Sequence, residues 1–137
     1  MKTTKAGEKN WLTVPEAAIE LRIPRTRCYE LIQRGDYGGG LAVLHALGRD
    51  DHPDVANSIG FASRKLGRYD DAKLWYERAL AADPQHVRTW QYYGMWHLEQ
   101  GNTLKAKEHL EKIRAMCGTT CKEYVSLQEA LNGNIVY

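Results

Sequence analysis

Two consecutive blocks of the sequence decide the fold: residues 53–86, PDVANSIGFASRKLGRYDDAKLWYERALAADPQH, and residues 87–120, VRTWQYYGMWHLEQGNTLKAKEHLEKIRAMCGTT. Both blocks are 34 residues long and align without a gap, so that Gly67 faces Gly101. A fixed period of this length is typical of stacked structural repeats. The sequence therefore predicts an array of similar units in place of a single irregular core.

Each block divides into two helical stretches at its central glycine, where one amphipathic pattern stops and another begins. In the first block, the second stretch carries apolar residues at helical spacing between charged ones, and it ends at Pro84. Small residues at matched positions, Gly60 and Gly94, would let paired helices approach closely. Each repeat is therefore predicted to be a helical hairpin.

The two blocks resemble tetratricopeptide repeats, whose signature places aromatic, small and proline residues at fixed positions within 34 residues. The positions that match in the first block are Ile59, Gly60, Ala72, Tyr76, Ala79 and Pro84. Those that match in the second block are Trp90, Tyr93, Gly94 and Ala106. The resemblance implies an all-α fold, a right-handed superhelical array of antiparallel helix pairs, and a function in binding other proteins.

The regions that flank the blocks are predicted to extend this array. Residues 11–52 form a divergent N-terminal helical region with a degenerate first repeat, whose second helix is expected to begin only near Leu41 because three glycines precede it. Residues 121–132 are predicted to form a capping helix. Residues 1–10 are expected to be a disordered tail, and residues 133–137 a short C-terminal tail.

The first helix of each hairpin lines the concave face of such an array, which stacking leaves uncovered. Aromatic, methionine and arginine side chains on this face fit an extended peptide or a helix of another protein. A homo-oligomer is a separate alternative, in which Trp75, Trp90, Trp96 and Tyr137 cover a second copy of this chain in place of a neighbouring helix. The predicted partner-binding residues are Asn57, Phe61, Arg64, Arg88, Gln91, Tyr92, Met95 and Leu98. For each of them, packing against neighbouring helices or pairing with nearby acids is the alternative.

The N-terminal segment suggests a second function. Residues 12–35 resemble the helix-turn-helix of excisionase and MerR-type DNA-binding domains. The resemblance implies that Arg25 and Arg27 contact bases or phosphates and that Arg34 contacts the DNA backbone. A small DNA-binding regulator is therefore the alternative to a protein-binding adaptor, although we expect these helices to pack on the next repeat.

Two of the three cysteines, Cys117 and Cys121, lie where the last repeat meets the predicted cap. Together with Glu123 and Tyr124 they resemble the Cys-x3-Cys-x-Glu-Tyr segment of small proteobacterial tetratricopeptide proteins. A disulfide would staple the cap if this junction is not helical, whereas a cytosolic pair would stay reduced. Both states remain open. A metal site that recruits His97 or His109 is not predicted, because neither histidine has a partner at metal-ligand spacing.

Composition limits the remaining function classes. The chain of 137 residues has a formal net charge of +2, which is too small an excess of basic charge to indicate a nucleic-acid partner. It has no apolar run of membrane-spanning length and no secretory signal, so we expect no membrane partner and a cytoplasmic location, with the periplasm as the alternative. It also lacks phosphate-binding, nucleophile-elbow and zinc-protease motifs. We therefore expect no catalytic residues and no cofactor.

Overall fold

A computed structural model describes residues 27–133 of the chain. This part is helical throughout and contains no strand, which confirms the all-α fold class. Its helices are α1 (Arg27–Gln33), α2 (Tyr37–Ala46), α3 (Pro53–Lys65), α4 (Tyr69–Ala82), α5 (Val87–Glu99), α6 (Thr103–Cys117) and α7 (Lys122–Leu131). None of these helices is both long enough and apolar enough to cross a membrane. The tail predicted over residues 1–10, and most of the one over 133–137, lie outside the described residues.

The same glycine turn joins the two helices of each hairpin. Gly35, Gly67 and Gly101 have φ angles of 80°, 78° and 80°, in the left-handed region that favours glycine. After each glycine, a backbone N–H donates to the carbonyl five residues back at 2.8 Å, an arrangement that ends the first helix and reverses the chain. These bonds run from Asp36 to Leu31, from Arg68 to Ser63 and from Asn102 to His97.

Helix α2 begins earlier than its glycines predict. The prediction of a start near Leu41 is wrong, because the helix starts at Tyr37 and takes all three glycines into its first turns. Oδ1 of Asp36 accepts the N–H of Gly39 at 2.9 Å and so caps the helix. A Cβ atom on Gly40 would lie 2.8 Å from Cγ1 of Ile32, so the missing side chain also lets α2 pack closely on α1.

The chain divides into two compact units, of which the first is Met1–Ala82. Within it, α3 packs against both α2 and α4. The core of this unit consists of Leu41, Leu44, Leu47, Val55, Ile59 and Ala62. A Cβ atom on Gly60 would lie 2.7 Å from two ring carbons of Tyr76, which confirms the predicted close approach of the paired helices α3 and α4 at this glycine.

The second unit is Asp83–Tyr137, in which α7 packs against both helices of the α5–α6 hairpin. Its core consists of Met95, Ile113, Tyr124, Leu127 and Ala130. A Cβ atom on Gly94 would lie 2.7 Å from Cδ2 of Leu127 and 3.3 Å from Cβ of His109. This glycine is therefore also a site of close helix approach, with the neighbours contributed by α7 and α6.

Candidate functional site

In the first unit, three of the predicted partner-binding residues lie on α3. Asn57 and Arg64 are each only 3% exposed, whereas Phe61 is half-buried. The ring of Tyr37 meets the ring of Phe61 edge-on, with 6.1 Å between the centroids. Cations lie over the same ring, since Cζ of Arg64 is 5.5 Å and Nζ of Lys65 is 5.7 Å from its centroid. Phe61 is thus an accessible aromatic side chain with positive charge beside it.

In the second unit, five of the predicted partner-binding residues lie on α5. Gln91 and Met95 are buried, and Met95 belongs to the core of the unit. Tyr92 and Leu98 are half-buried, and Arg88 is exposed. Of the predicted partner-binding residues on α5, Arg88, Tyr92 and Leu98 therefore keep exposed surface, although Tyr92 and Leu98 also pack against the core of the unit.

A largely buried cluster of aromatic and imidazole rings joins α5 to α6. The ring of His97 stacks on Tyr93, with 4.5 Å between the centroids, and lies 4.9 Å from the ring of His109. His109 also contacts the ring of Trp90 edge-on at 4.9 Å and pairs through Nδ1 with the Trp90 carbonyl at 3.2 Å. No sequence motif predicts the contact between His97 and His109, because they are twelve residues apart on different helices.

Burial shifts the pKa of one member of this cluster, His109. Desolvation lowers the pKa of His109 below its ordinary value of 6.5, and Lys105 acts in the same direction. The hydrogen bond to the Trp90 carbonyl and the charge of Glu108 oppose this shift without reversing it. A neutral imidazole packed among aromatic rings is a core group, and its contribution is to the stability of the α5–α6 hairpin.

The residues of the DNA-binding alternative gain no support from the structure. Arg25 lies outside the described residues, Arg27 is the first residue of α1, and Arg34 is exposed just after that helix. Helix α1 packs against α2 and buries Leu31, so it serves as the first helix of a hairpin. No observation on the described residues favours contact with DNA.

A cavity of about 450 Å³ opens in the first unit, lined by Asp50, Asp51, Arg78, Ala81 and Ala82. His52 follows these acids in the sequence, and its role in the structure is that of a helix cap. Nδ1 of His52 accepts the N–H of Asp54 at 3.2 Å, and the residue is the N-cap of α3. This is the turn-and-cap role that its position before Pro53 predicts.

A disulfide joins Cys117, the last residue of α6, to Cys121, the N-cap of α7. The two Cα atoms are 6.0 Å apart, within the range that a disulfide spans. Gly118 lies between them with a φ of 83°, so the junction is not helical. Glu123 is close by, and one carboxylate oxygen and the two sulfurs all lie within 4.8 Å of one another.

The comparisons with known proteins agree with this architecture. Residues 53–86, which comprise α3, its glycine turn and α4, match the family model for the tetratricopeptide repeat. A protein of Guillardia theta described as "Uncharacterized protein ycf37" is 34% identical over 62 residues, which cover 43% of this chain. The match covers 35% of that relative, so the chain spans about a third of its length. Residues 53–86 of this chain therefore form a tetratricopeptide repeat, a structural unit that serves in the binding of other proteins.

Proposed function

We propose that this chain is an adaptor that holds a peptide or helix of a partner protein in the concave groove of a tetratricopeptide array and performs no chemistry of its own. The observation that carries the proposal is the tetratricopeptide repeat at residues 53–86. Arrays of this kind bind through the face that their first helices line, because stacking leaves that face extended and uncovered. In the two 34-residue blocks of this chain, the first helices are α3 and α5.

The accessible residues on these helices indicate what such a partner presents. Phe61 on α3 and Tyr92 and Leu98 on α5 offer apolar contact, while Arg88 adds a charge. Aromatic and arginine side chains are the types most enriched among residues that dominate binding energies. Because Arg88 is exposed beside these apolar side chains on α5, an apolar segment that also carries an acidic side chain is the best complement.

Paired substitutions on first and second helices test this proposal. Phe61→Ala on α3 is matched by Leu74→Ala on α4, where Leu74 is 49% exposed. Arg88→Ala on α5 is matched by Arg114→Ala, at an exposed position of α6. Each tagged variant is used to capture partners from a native lysate, and the affinity of a captured partner is then measured with purified components.

The first-helix variants should weaken binding by about tenfold, the effect of losing a contact worth roughly 1.4 kcal/mol. The second-helix controls should bind as the wild type does. Equal binding by all four variants, or losses confined to the controls, would show that the partner uses another surface. Far-ultraviolet circular dichroism of each variant separates lost binding from lost folding.

A further inference from the structure

We propose that Cys117, Cys121 and Glu123, once the disulfide is reduced, form a binding site for a thiophilic divalent cation, with Zn²⁺ as the best fit. This inference concerns the junction between α6 and α7, and it does not depend on the proposed function. Two thiolates and a carboxylate are all ligand types that zinc accepts in proteins.

The geometry of the junction brings the three ligand atoms to one place. The sulfurs of Cys117 and Cys121 and a carboxylate oxygen of Glu123 already lie within 4.8 Å of one another. Zinc–sulfur bonds of about 2.3 Å in a tetrahedral site place two sulfurs roughly 3.8 Å apart. With Cα atoms 6.0 Å apart, rotation of the two cysteine side chains supplies that separation without moving the backbone.

The surroundings favour the loaded site. Two thiolates and one carboxylate carry one more negative charge than Zn²⁺ neutralises, so the complex is an anion. Cys121 is the N-cap of α7 and Glu123 lies in its first turn, where the partial positive charge of a helix N-terminus stabilises negative charge. Cys117 is exposed, and Cys121 and Glu123 are half-buried, so an ion from solvent reaches all three.

Oxidation and metal binding exclude each other at this site. An external dithiol reduces the bond by thiol–disulfide exchange, which leaves both cysteines as thiols and the reductant as its own disulfide. Zn²⁺ then displaces the proton of each thiol, and three protein ligands leave one coordination position for water. In the oxidised chain neither sulfur is a thiolate, so the site lacks its two strongest ligands.

The test uses the full chain, reduced and freed of metal, with Co²⁺ as a spectroscopic probe and Zn²⁺ as its competitor. We expect one Co²⁺ per chain, with a sulfur-to-cobalt charge-transfer band and visible bands of tetrahedral cobalt that Zn²⁺ abolishes. The oxidised chain should give neither. Bound Zn²⁺ should also slow alkylation of Cys117 and Cys121 in the wild type, a readout that needs no variant.

Matched variants assign the ligands. Cys117→Ser and Cys121→Ser should lose the charge-transfer band or reduce it by half. Cys28→Ser, which changes the third cysteine of the chain, should keep the band. Glu123→Gln should weaken Zn²⁺ binding by at least about tenfold, whereas Glu129→Gln, at an exposed position of the same helix, binds as the wild type does. Absence of Co²⁺ binding by the reduced wild type would overturn the proposal. Wild-type affinity in Glu123→Gln, or loss of the band in Cys28→Ser, would overturn the ligand set.

Discussion

Alanine at position 60 tests the helix contact on which the first unit is built. A Cβ atom there would lie 2.7 Å from Cδ1 and Cε1 of Tyr76, a residue with no solvent exposure. Ordinary carbon contacts lie at about 3.5–4.0 Å, so α3 and α4 have to separate by roughly 1 Å or Tyr76 has to leave its position. Overpacking of this kind costs up to about 3 kcal/mol, against a gain of about 1 kcal/mol in helix propensity. We expect Gly60→Ala to lower the free energy of unfolding by about 2 kcal/mol.

Urea unfolding followed by circular dichroism measures this change, and the midpoint should fall by about 1 M. Gly38→Ala is the matched control, because a Cβ atom at Gly38 in α2 meets nothing within 4 Å. It should raise stability by about 0.4–1 kcal/mol. If Gly60→Ala is as stable as the wild type, or gains stability as the control does, the close packing of α3 on Tyr76 is refuted.

Two further substitutions, at His109 and Asn102, test contributions to the stability of the second unit. Because burial lowers the pKa of His109, the unfolded chain binds more protons as pH falls below 6.5, so the free energy of unfolding should fall with pH until the folded-state pKa is passed. Urea unfolding at several pH values should show a shallower acid loss in His109→Gln than in the wild type; equal slopes in the two proteins would contradict this. Oδ1 of Asn102 accepts the N–H of Lys105 at 3.2 Å and caps α6, so Asn102→Ala should cost about 1 kcal/mol in the same assay. Asn132 is exposed, so Asn132→Ala should lower the free energy of unfolding by less than about 0.5 kcal/mol. A loss as large as that of Asn102→Ala would argue against the cap.

The repeat itself was predictable because its signals are local. The glycine turns at Gly67 and Gly101 and the gapless alignment of the two blocks place α3 and α5 in equivalent positions, and both helices span 13 residues. The start of α2 was not predictable from propensity alone. Its three glycines argue against a helix, and the Asp36 cap and the contact of Gly40 with Ile32 outweigh them.

Contacts between side chains of different helices could not be predicted from the sequence. Whether Met95 faces a partner or the core depends on the position of α7, which packs against α5 and shares its core with Met95. The contact between His97 and His109 likewise depends on the relative rotation of α5 and α6. At the junction after α6, the positive φ of Gly118 leaves the chain non-helical, and that is what lets Cys117 and Cys121 meet.

Hydroxyl-radical footprinting of the chain, free and bound to a captured partner, tests the central claim of binding through the first helices most directly. Binding through the first helices should protect the side chains of Phe61, Tyr92 and Leu98 from oxidation. Leu74 and Leu104, which are 49% and 76% exposed on the second helices, should react equally in both states. Protection of Leu74 and Leu104 with unchanged oxidation of Phe61, Tyr92 and Leu98 would contradict binding through the first helices.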